Sequence, residues 1–192
     1  MNEIKKRISI TGDPGSGKST FAKSVAAYTG FDIITTGNIF RKLAKERGVS
    51  ITKLNEMAEV QKELDAKVDD YLVSLNNTKD KFILDSRMAW HFVKDTFKVR
   101  LTVDLDEAVK RIYSDDSPAE FREKFSSVEE AMEEVEKRRL SEIRRYQSLY
   151  GVNIGDDKNI LTSLLGSLNN IRNNLLTVSL SYLLAVVLSS TG

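Results

Sequence analysis

Cysteine is absent from this 192-residue chain, and histidine and tryptophan occur only once each. Without cysteine the chain has no disulfides, no zinc–thiolate sites and no thiol nucleophiles, a composition that fits a reducing cytoplasm. The single histidine, His91, follows Trp90, and we interpret it as a packing or surface residue rather than a general base. A cytoplasmic location is therefore expected.

A large excess of charge of one sign is also missing. The 29 lysines and arginines nearly balance the 28 aspartates and glutamates, for a formal net charge of +1. Such a balance predicts no general affinity for nucleic acid or for an acidic membrane, so any anion site must be local. Residues 1–7 lack the apolar stretch and the small-residue cleavage site of a secretory signal, and export is not expected.

Short apolar runs alternate with longer amphipathic segments along most of the chain, whose length fits one domain. The runs predict strands at 8–11, 32–35, 81–85 and 99–103. Helical spacing predicts helices at 21–28, 39–47, 51–59, 64–75, 105–113 and 128–150. This order of elements predicts an α/β fold, a parallel sheet with helices on both of its faces.

The tail over residues 160–192 differs from the rest, because it is rich in Leu, Ser and Asn and carries Arg172 as its only charge. Apolar spacing predicts one helical face over 160–171, whereas alternation over 176–182 is typical of a half-buried strand. The apolar part of its uncharged run, 175–188, is interrupted by polar residues and is short for a membrane span. We expect a packed or irregular tail of uncertain structure, without membrane contact.

A glycine-rich loop between the first strand and the first helix carries the strongest motif. Residues 12–19 read GDPGSGKS and fit G-x-x-x-x-G-K-[ST], whose backbone N–H groups converge on phosphate oxygens. Lys18 would reach the β- and γ-phosphates of ATP or GTP, and the Ser19 hydroxyl would ligate Mg²⁺. The predicted nucleotide-binding residues are Gly12, Asp13, Pro14, Gly15, Ser16, Gly17, Lys18, Ser19 and Thr20.

Two further segments offer arginines near the ends of predicted strands. Thr36 and Gly37 open a helix whose first turns carry Phe40 and Arg41. This is either a second phosphate site or a helix start with a solvated arginine. The third strand ends in FILDSR at residues 82–87. Its Asp85 would either hold Mg²⁺ or cap the next turn, and Arg87 would grip a phosphate through two hydrogen bonds.

The long charged helix places Arg138, Glu142 and Arg145 at i, i+4 and i+7, so these side chains share one face. They would either close over a phosphoryl group in transit or form a solvated, salt-bridged face. The preceding segment SDDSPAEFREKF, residues 114–125, is polar and contains Pro118, which suits a flexible lid.

In this order, the pieces resemble the nucleoside monophosphate kinases, and in particular the archaeal-type cytidylate kinase branch. The similar motifs are the phosphate loop, TTGNIFRKLAKERGVS, FILDSRMAW, VKRI and RRLSEIRRYQSLYGVNI, which lie within about residues 8–157, some four-fifths of the chain. The resemblance implies a P-loop NTPase three-layer fold with a five-stranded parallel sheet in a domain over 1–159. It also implies monophosphate-binding helices over about 36–76 and a lid over about 113–145.

The resemblance further implies ATP and Mg²⁺ as cofactors and phosphoryl transfer to a nucleoside monophosphate, CMP or dCMP above all. Lys18, Arg138, Arg145 and Glu142 would be catalytic, with the two arginines bridging donor and acceptor phosphates and the glutamate orienting them. Arg111 would lie against the adenine, and Ser19 and Asp85 at the metal. The acceptor would meet Thr36, Gly37, Phe40, Arg41, Asp85 and Arg87.

The sequence departs from the family pattern at two positions and throughout its tail. Met88 stands where bacterial cytidylate kinases carry an acid that contacts cytosine, Ser86 replaces the usual glycine of that turn, and nothing from residue 160 onward resembles the family's last strand and helix. A kinase for another monophosphate or a small metabolite therefore stays open, as does a non-catalytic nucleotide-binding module. The expected partners are small nucleotides, without nucleic acid, and a monomer is favoured.

Overall fold

The structure is a computed structural model that describes residues 7–78, 81–114 and 125–155, together with the backbone of 163–165. Its centre is a sheet of five parallel strands in the order β2-β3-β1-β4-β5. The strands are β1 (Arg7–Gly12), β2 (Asp32–Thr35), β3 (Phe82–Asp85), β4 (Phe97–Thr102) and β5 (Ser163–Leu165). The predicted parallel sheet is confirmed.

Seven α-helices are found among the described residues. They are α1 (Lys18–Thr29), α2 (Gly37–Glu46), α3 (Ile51–Val60), α4 (Glu63–Ser74), α5 (Ala89–Phe92), α6 (Leu105–Tyr113) and α7 (Val128–Tyr150). All six predicted helices are present, with ends within three residues of those expected. No pattern in the sequence predicts α5, because four residues are too few to show a helical period.

Helices pack on both faces of the sheet, and the alternation of side chains along the strands explains how. Ile8 and Ile10 of β1 pack with Phe21 and Val25 of α1 on one face. On the other face, Phe82 and Leu84 of β3 pack with residues of α4, α5 and α7. Because successive strand residues point to opposite faces, Ile83, which lies between these two residues of β3, packs instead in the cluster with α1. This arrangement confirms the three-layer architecture.

Local capping explains where several helices begin and end. The Ser50 hydroxyl accepts a hydrogen bond from the Lys53 amide at 3.0 Å and so caps α3. Ser127 caps α7 in the same way through the Glu130 amide, at 3.1 Å. At its carboxyl end, α7 stops at Gly151, whose φ of 67° lies in the left-handed region that favours glycine.

The first part of the tail forms a strand where a helical face was expected. The backbone of β5 pairs with β4 in parallel, with Leu164 opposite Leu101. The helical interpretation of 160–171 is therefore wrong over 163–165, because pairing with a distant strand outweighs local apolar spacing. This segment fills the place of the fifth strand although its sequence does not resemble that of the family.

Two predicted segments lie wholly or partly outside the described residues. Most of the proposed flexible lid segment falls on 115–124, and the tail beyond 165 is likewise not described. Within the ranges that the structure does describe, we find no helix with the length and apolar character needed to cross a membrane.

Candidate functional site

A cleft of about 760 Å³ opens where β1, β2 and β3 end. Ligands of open parallel sheets bind at this carboxyl edge, where the connecting loops diverge. Most residues selected from the sequence line the cleft: Pro14, Gly15, Gly17, Lys18, Ser19, Thr20, Thr36, Gly37, Phe40, Arg41, Asp85, Arg87, Arg111, Arg138, Glu142 and Arg145. The other three, Gly12, Asp13 and Ser16, belong to the same glycine-rich loop but do not line the cleft.

The glycine-rich loop is held closely between β4 and α6. A Cβ atom at Gly12 would lie 1.9 Å from the Leu101 carbonyl oxygen, and one at Gly15 would lie 2.8 Å from that of Ala108. Both glycines also have positive φ, 141° and 71°. These positions therefore need glycine for space as well as for backbone conformation.

The loop ends at the start of α1, which presents its amide groups to the cleft. Gly17 is the N-cap residue, and no side chain of the described residues caps this helix. The first N–H groups of a helix lack partners within the helix and carry partial positive charge, so they bind phosphate well. The loop geometry thus supports an anion site.

Lys18 is folded back onto the loop. Its Nζ donates to the Asp13 carbonyl oxygen at 2.6 Å and lies 3.5 Å from the Ser16 hydroxyl. Burial, with a contribution from the nearby Arg87 guanidinium, lowers the pKa of Lys18 to about 7. A phosphate at the loop would favour the charged form of this amine and offer it a stronger acceptor.

Ser19 and Asp85 meet at the foot of the cleft, where the Ser19 hydroxyl donates to Asp85 Oδ2 at 2.8 Å. Hydroxyl and carboxylate oxygens are ligands that Mg²⁺ prefers. No group of three or more His, Cys, Asp or Glu side chains suited to a metal occurs in the described parts of the chain. Mg²⁺ in phosphoryl-transfer sites needs only one or two protein oxygens beside phosphates and water, so this pair fits the ion.

Glu142 links two arginines from different parts of the chain. Its Oε2 accepts a hydrogen bond from Arg87 Nε, and its Oε1 accepts one from Arg138 Nε at 3.2 Å. Glu142 is only 4% exposed. Burial acts to raise the pKa of Glu142, but the Arg87 and Arg138 guanidinium groups outweigh it and lower that pKa to about 2. The carboxylate therefore stays charged and holds both arginines at the cleft.

Arg145 is enclosed by helices on several sides. Its Nη1 donates to Asn55 Oδ1 at 2.8 Å and its Nη2 to the Tyr146 hydroxyl at 2.7 Å, while Nε lies 3.3 Å from Asp65 Oδ2. The guanidinium carbon lies 5.0 Å from the centroid of the Phe40 ring. Arg145 is 2% exposed. The alternative of a solvated helix face is therefore wrong for Arg145, as it is for Glu142.

Arg41 and Arg111 lie at different parts of the cleft. Arg41 Nη1 donates to Asn38 Oδ1 at 3.1 Å in the first turn of α2. Arg111 Nε donates to Glu107 Oε1 at 2.8 Å, and its Nη1 lies 3.4 Å from the Gly15 carbonyl oxygen. Arg111 thus rests against the phosphate loop, and its role at an adenine stays a prediction.

Several polar residues that line the cleft are not predicted from the sequence, among them Asn55, Asp65 and Asp69. Asn55 and Asp65 are 2% and 3% exposed, and they stand among apolar residues of α3 and α4. Burial raises the pKa of Asp65 to about 6, although Arg145 acts against this shift. The sequence does show that Asn55 and Asp65 are polar residues at core positions of predicted helices. It does not show their partner, because Arg145 is 80 or more residues away in the chain.

The chain is similar to known proteins both in sequence and in fold. A family model described as an AAA domain matches residues 8–138. The cytidylate kinase of Methanosarcina acetivorans is 35% identical over 153 residues, which cover 78% of this chain and 81% of the relative. That of Halorubrum lacusprofundi is 36% identical over 149 residues, covering 78% and 74%. A solved shikimate kinase from Bacteroides thetaiotaomicron shares the fold, with a TM-score of 0.59 at 13% identity and coverage of 94% of this chain and 97% of that one.

Proposed function

Because the chain belongs to the nucleoside monophosphate kinase family, in its archaeal-type cytidylate kinase branch, we propose that it transfers the γ-phosphoryl group of ATP to CMP or dCMP. One observation carries the proposal: Glu142 joins Arg87, which follows β3, to Arg138 of α7 at the cleft that also holds Lys18. A protein that only binds nucleotide has no need for so many cations beyond the phosphate loop.

The donor half of the site consists of the loop and the start of α1. Loop amides and Lys18 would bind the β- and γ-phosphates of ATP, and Arg111 would rest near the adenine. Ser19 and Asp85 would hold Mg²⁺, which when bound supplies charge neutralisation between the phosphates.

The acceptor half consists of α2, the turn after β3, and α7. Arg41 and Arg87 would fix the acceptor phosphate so that one of its oxygens lies in line with the γ-phosphorus. Arg138 would neutralise charge on the equatorial oxygens during transfer. No protein base is needed, because the acceptor phosphate is already an anionic nucleophile at neutral pH.

A coupled assay with ATP and Mg²⁺ tests the proposal against CMP, dCMP, UMP, AMP, GMP and shikimate. We expect the highest kcat/KM with CMP or dCMP. Turnover of another acceptor in preference to these would replace the proposed substrate while keeping the reaction. Measurable ATP binding with no turnover of any acceptor would instead favour a non-catalytic nucleotide-binding module.

A further inference from the structure

One end of the cleft combines apolar walls with two carboxylates from a single helix. Asp65, Val68 and Asp69 of α4 stand at i, i+3 and i+4, and all three line the cleft. Val68 packs in one buried cluster with Met88 and Tyr146, which line the cleft as well. Such surroundings suit a flat, largely apolar group that carries a hydrogen-bond donor on its edge.

The two carboxylates have partners of different kinds. Asp65 faces the guanidinium of Arg145, with Oδ2 3.3 Å from Nε. Asp69 Oδ2 instead accepts a hydrogen bond from the hydroxyl of Tyr150, a neutral group. A carboxylate offers about four lone-pair sites, and one hydroxyl occupies only one of them. Asp69 therefore keeps acceptor capacity that a ligand in the cleft can use.

Pyrimidine bases differ at the edge that such an acceptor would contact. Cytosine carries an amino group at C4, which donates hydrogen bonds, whereas uracil carries a carbonyl oxygen there, which only accepts. A carboxylate attracts the amino group and repels the carbonyl oxygen. The turn after β3 contributes the apolar Met88 at this end of the cleft, whereas α4 contributes the carboxylates of Asp65 and Asp69.

We propose that Asp69 selects an amino-bearing pyrimidine in the acceptor nucleotide by accepting a hydrogen bond from its exocyclic amino group. Tyr150 acts as a positioning residue, because its hydroxyl holds the Asp69 carboxylate in place. The inference rests on the proposed function for its acceptor nucleotide. It adds the residue that distinguishes cytosine from uracil.

The test compares the wild type with Asp69→Asn, using CMP and UMP as probes. Calorimetry measures the affinity for each, and kcat/KM is measured separately with ATP. We expect the affinity for CMP to fall about 3- to 10-fold, because the side-chain oxygen of asparagine can still accept the hydrogen bond but lacks the negative charge that strengthens it. We expect UMP to bind no worse, because the side-chain amide of the introduced asparagine can donate to the uracil carbonyl.

Asp70→Asn is the matched control, since Asp70 is the exposed neighbour on the same helix and loses the same charge. We expect its CMP-to-UMP affinity ratio to stay within about twofold of wild type. Tyr150→Phe retains the carboxylate and removes only the hydroxyl that holds it. We expect this variant to lower the CMP-to-UMP affinity ratio about three- to tenfold with unchanged ATP affinity. If Asp69→Asn does not fold, Tyr150→Phe serves as the test in its place.

Equal wild-type affinity for CMP and UMP would overturn the inference, and so would an Asp69→Asn ratio equal to that of Asp70→Asn. Because binding is measured without turnover, the two proposals fail separately. A protein that prefers CMP in an Asp69-dependent way but transfers no phosphoryl group keeps this inference and loses the proposed function.

Discussion

Glu142 and Arg145 are three residues apart on α7, yet their partners lie in different parts of the fold. Glu142 contacts Arg87 and Arg138, whereas Arg145 contacts residues of α3 and α4. The first group borders the proposed path of the phosphoryl group. Arg145 instead joins α7 to the helices at the acceptor side, so the two arginines of this face are expected to respond differently to substitution.

Arg138→Ala is expected to lower kcat about 10²- to 10³-fold, the usual effect of removing a group that stabilises transition-state charge. Affinity for ATP should change little, since the side chain is not part of the phosphate loop. Steady-state kinetics and ATP calorimetry measure the two effects. An unchanged kcat would remove Arg138 from the transfer step.

Arg145→Ala is expected to act mainly on stability. It leaves the Asp65 carboxylate, 3% exposed, without the guanidinium that faces it. Removing one partner of a buried ion pair typically costs about 3–5 kcal/mol. Urea unfolding of Arg145→Ala beside Arg144→Ala, an exposed neighbour paired with Glu59, gives the comparison. Equal free energies of unfolding would contradict the structural role.

Asp65 predicts a pH dependence of stability. Its pKa is about 6 in the folded protein against an ordinary value of 3.8, so between these values the folded state binds more protons than the unfolded state. The contribution of Asp65 to stability therefore falls as pH rises through this window. From pH 5 to pH 7.5 we expect the wild type to lose about 1.4 kcal/mol relative to Asp65→Asn. Urea unfolding of both proteins at the two pH values measures this, and a parallel response would contradict it.

The sequence predicts those site residues that belong to a local motif or a helical period. Lys18 and Ser19 belong to a contiguous motif, and Arg138, Glu142 and Arg145 follow a helical period. Their presence at one cleft was foreseen through the family resemblance. The contacts of Asn55, Asp65 and Asp69 were not, because each depends on a partner about 80 or more residues away, which no local pattern specifies.

At the scale of elements, the phosphate loop is confined by its neighbours as much as by its own sequence. The Asp13 amide donates to the Leu101 carbonyl oxygen at 3.1 Å, so the loop is attached to the end of β4. The Asp13 carboxylate lies 3.4 Å from Arg139 Nη2, which adds a contact with α7. The motif predicts the loop. It does not predict these two contacts, because Leu101 and Arg139 lie far from the motif in the sequence.

Gly12→Ala tests this close packing. The added methyl group would overlap the Leu101 carbonyl oxygen, at 1.9 Å, and the backbone would be strained at a φ of 141°. Overpacking and backbone strain each cost about 1–3 kcal/mol, so we expect a loss of about 2–6 kcal/mol together with weaker ATP binding.

Gly48→Ala is the control, because Gly48 has a positive φ of 65° but open space around it. Only the backbone cost, about 1–2 kcal/mol, applies there. Thermal unfolding of both variants compares them, and equal losses would show that the contact with β4 contributes nothing.

For the whole molecule, periodicity predicted four of the five strands and the three-layer arrangement, because these strands are apolar and bounded by turns. It failed at β5, whose three residues are too few to show alternation and lie within a longer helical spacing. An edge strand of three residues forms through its pairing with the neighbouring strand rather than through its own sequence pattern. β4 pairs with β1 on one side and with β5 on the other.

Support of β4 by β5 predicts a link between the tail and the nucleotide site. Leu101 pairs with Leu164 and also accepts the hydrogen bond from the phosphate loop. Leu164→Pro removes a backbone donor and disturbs this pairing, so we expect a loss of about 1–3 kcal/mol in the free energy of unfolding. Hydrogen exchange should become faster at β4 amides, and ATP affinity should fall with it.

Val128→Pro is the control for introducing proline, because Val128 is the first residue of α7, a position that proline tolerates. We expect this variant to unfold as the wild type does and to keep its ATP affinity. If Leu164→Pro behaved like Val128→Pro in unfolding and in exchange at β4, the sheet would be complete without β5. A loss of stability with unchanged ATP affinity would instead show that β5 stabilises only the edge of the sheet. The pairing of β4 with β1 would then be enough to keep the hydrogen bond between the Asp13 amide and the Leu101 carbonyl oxygen.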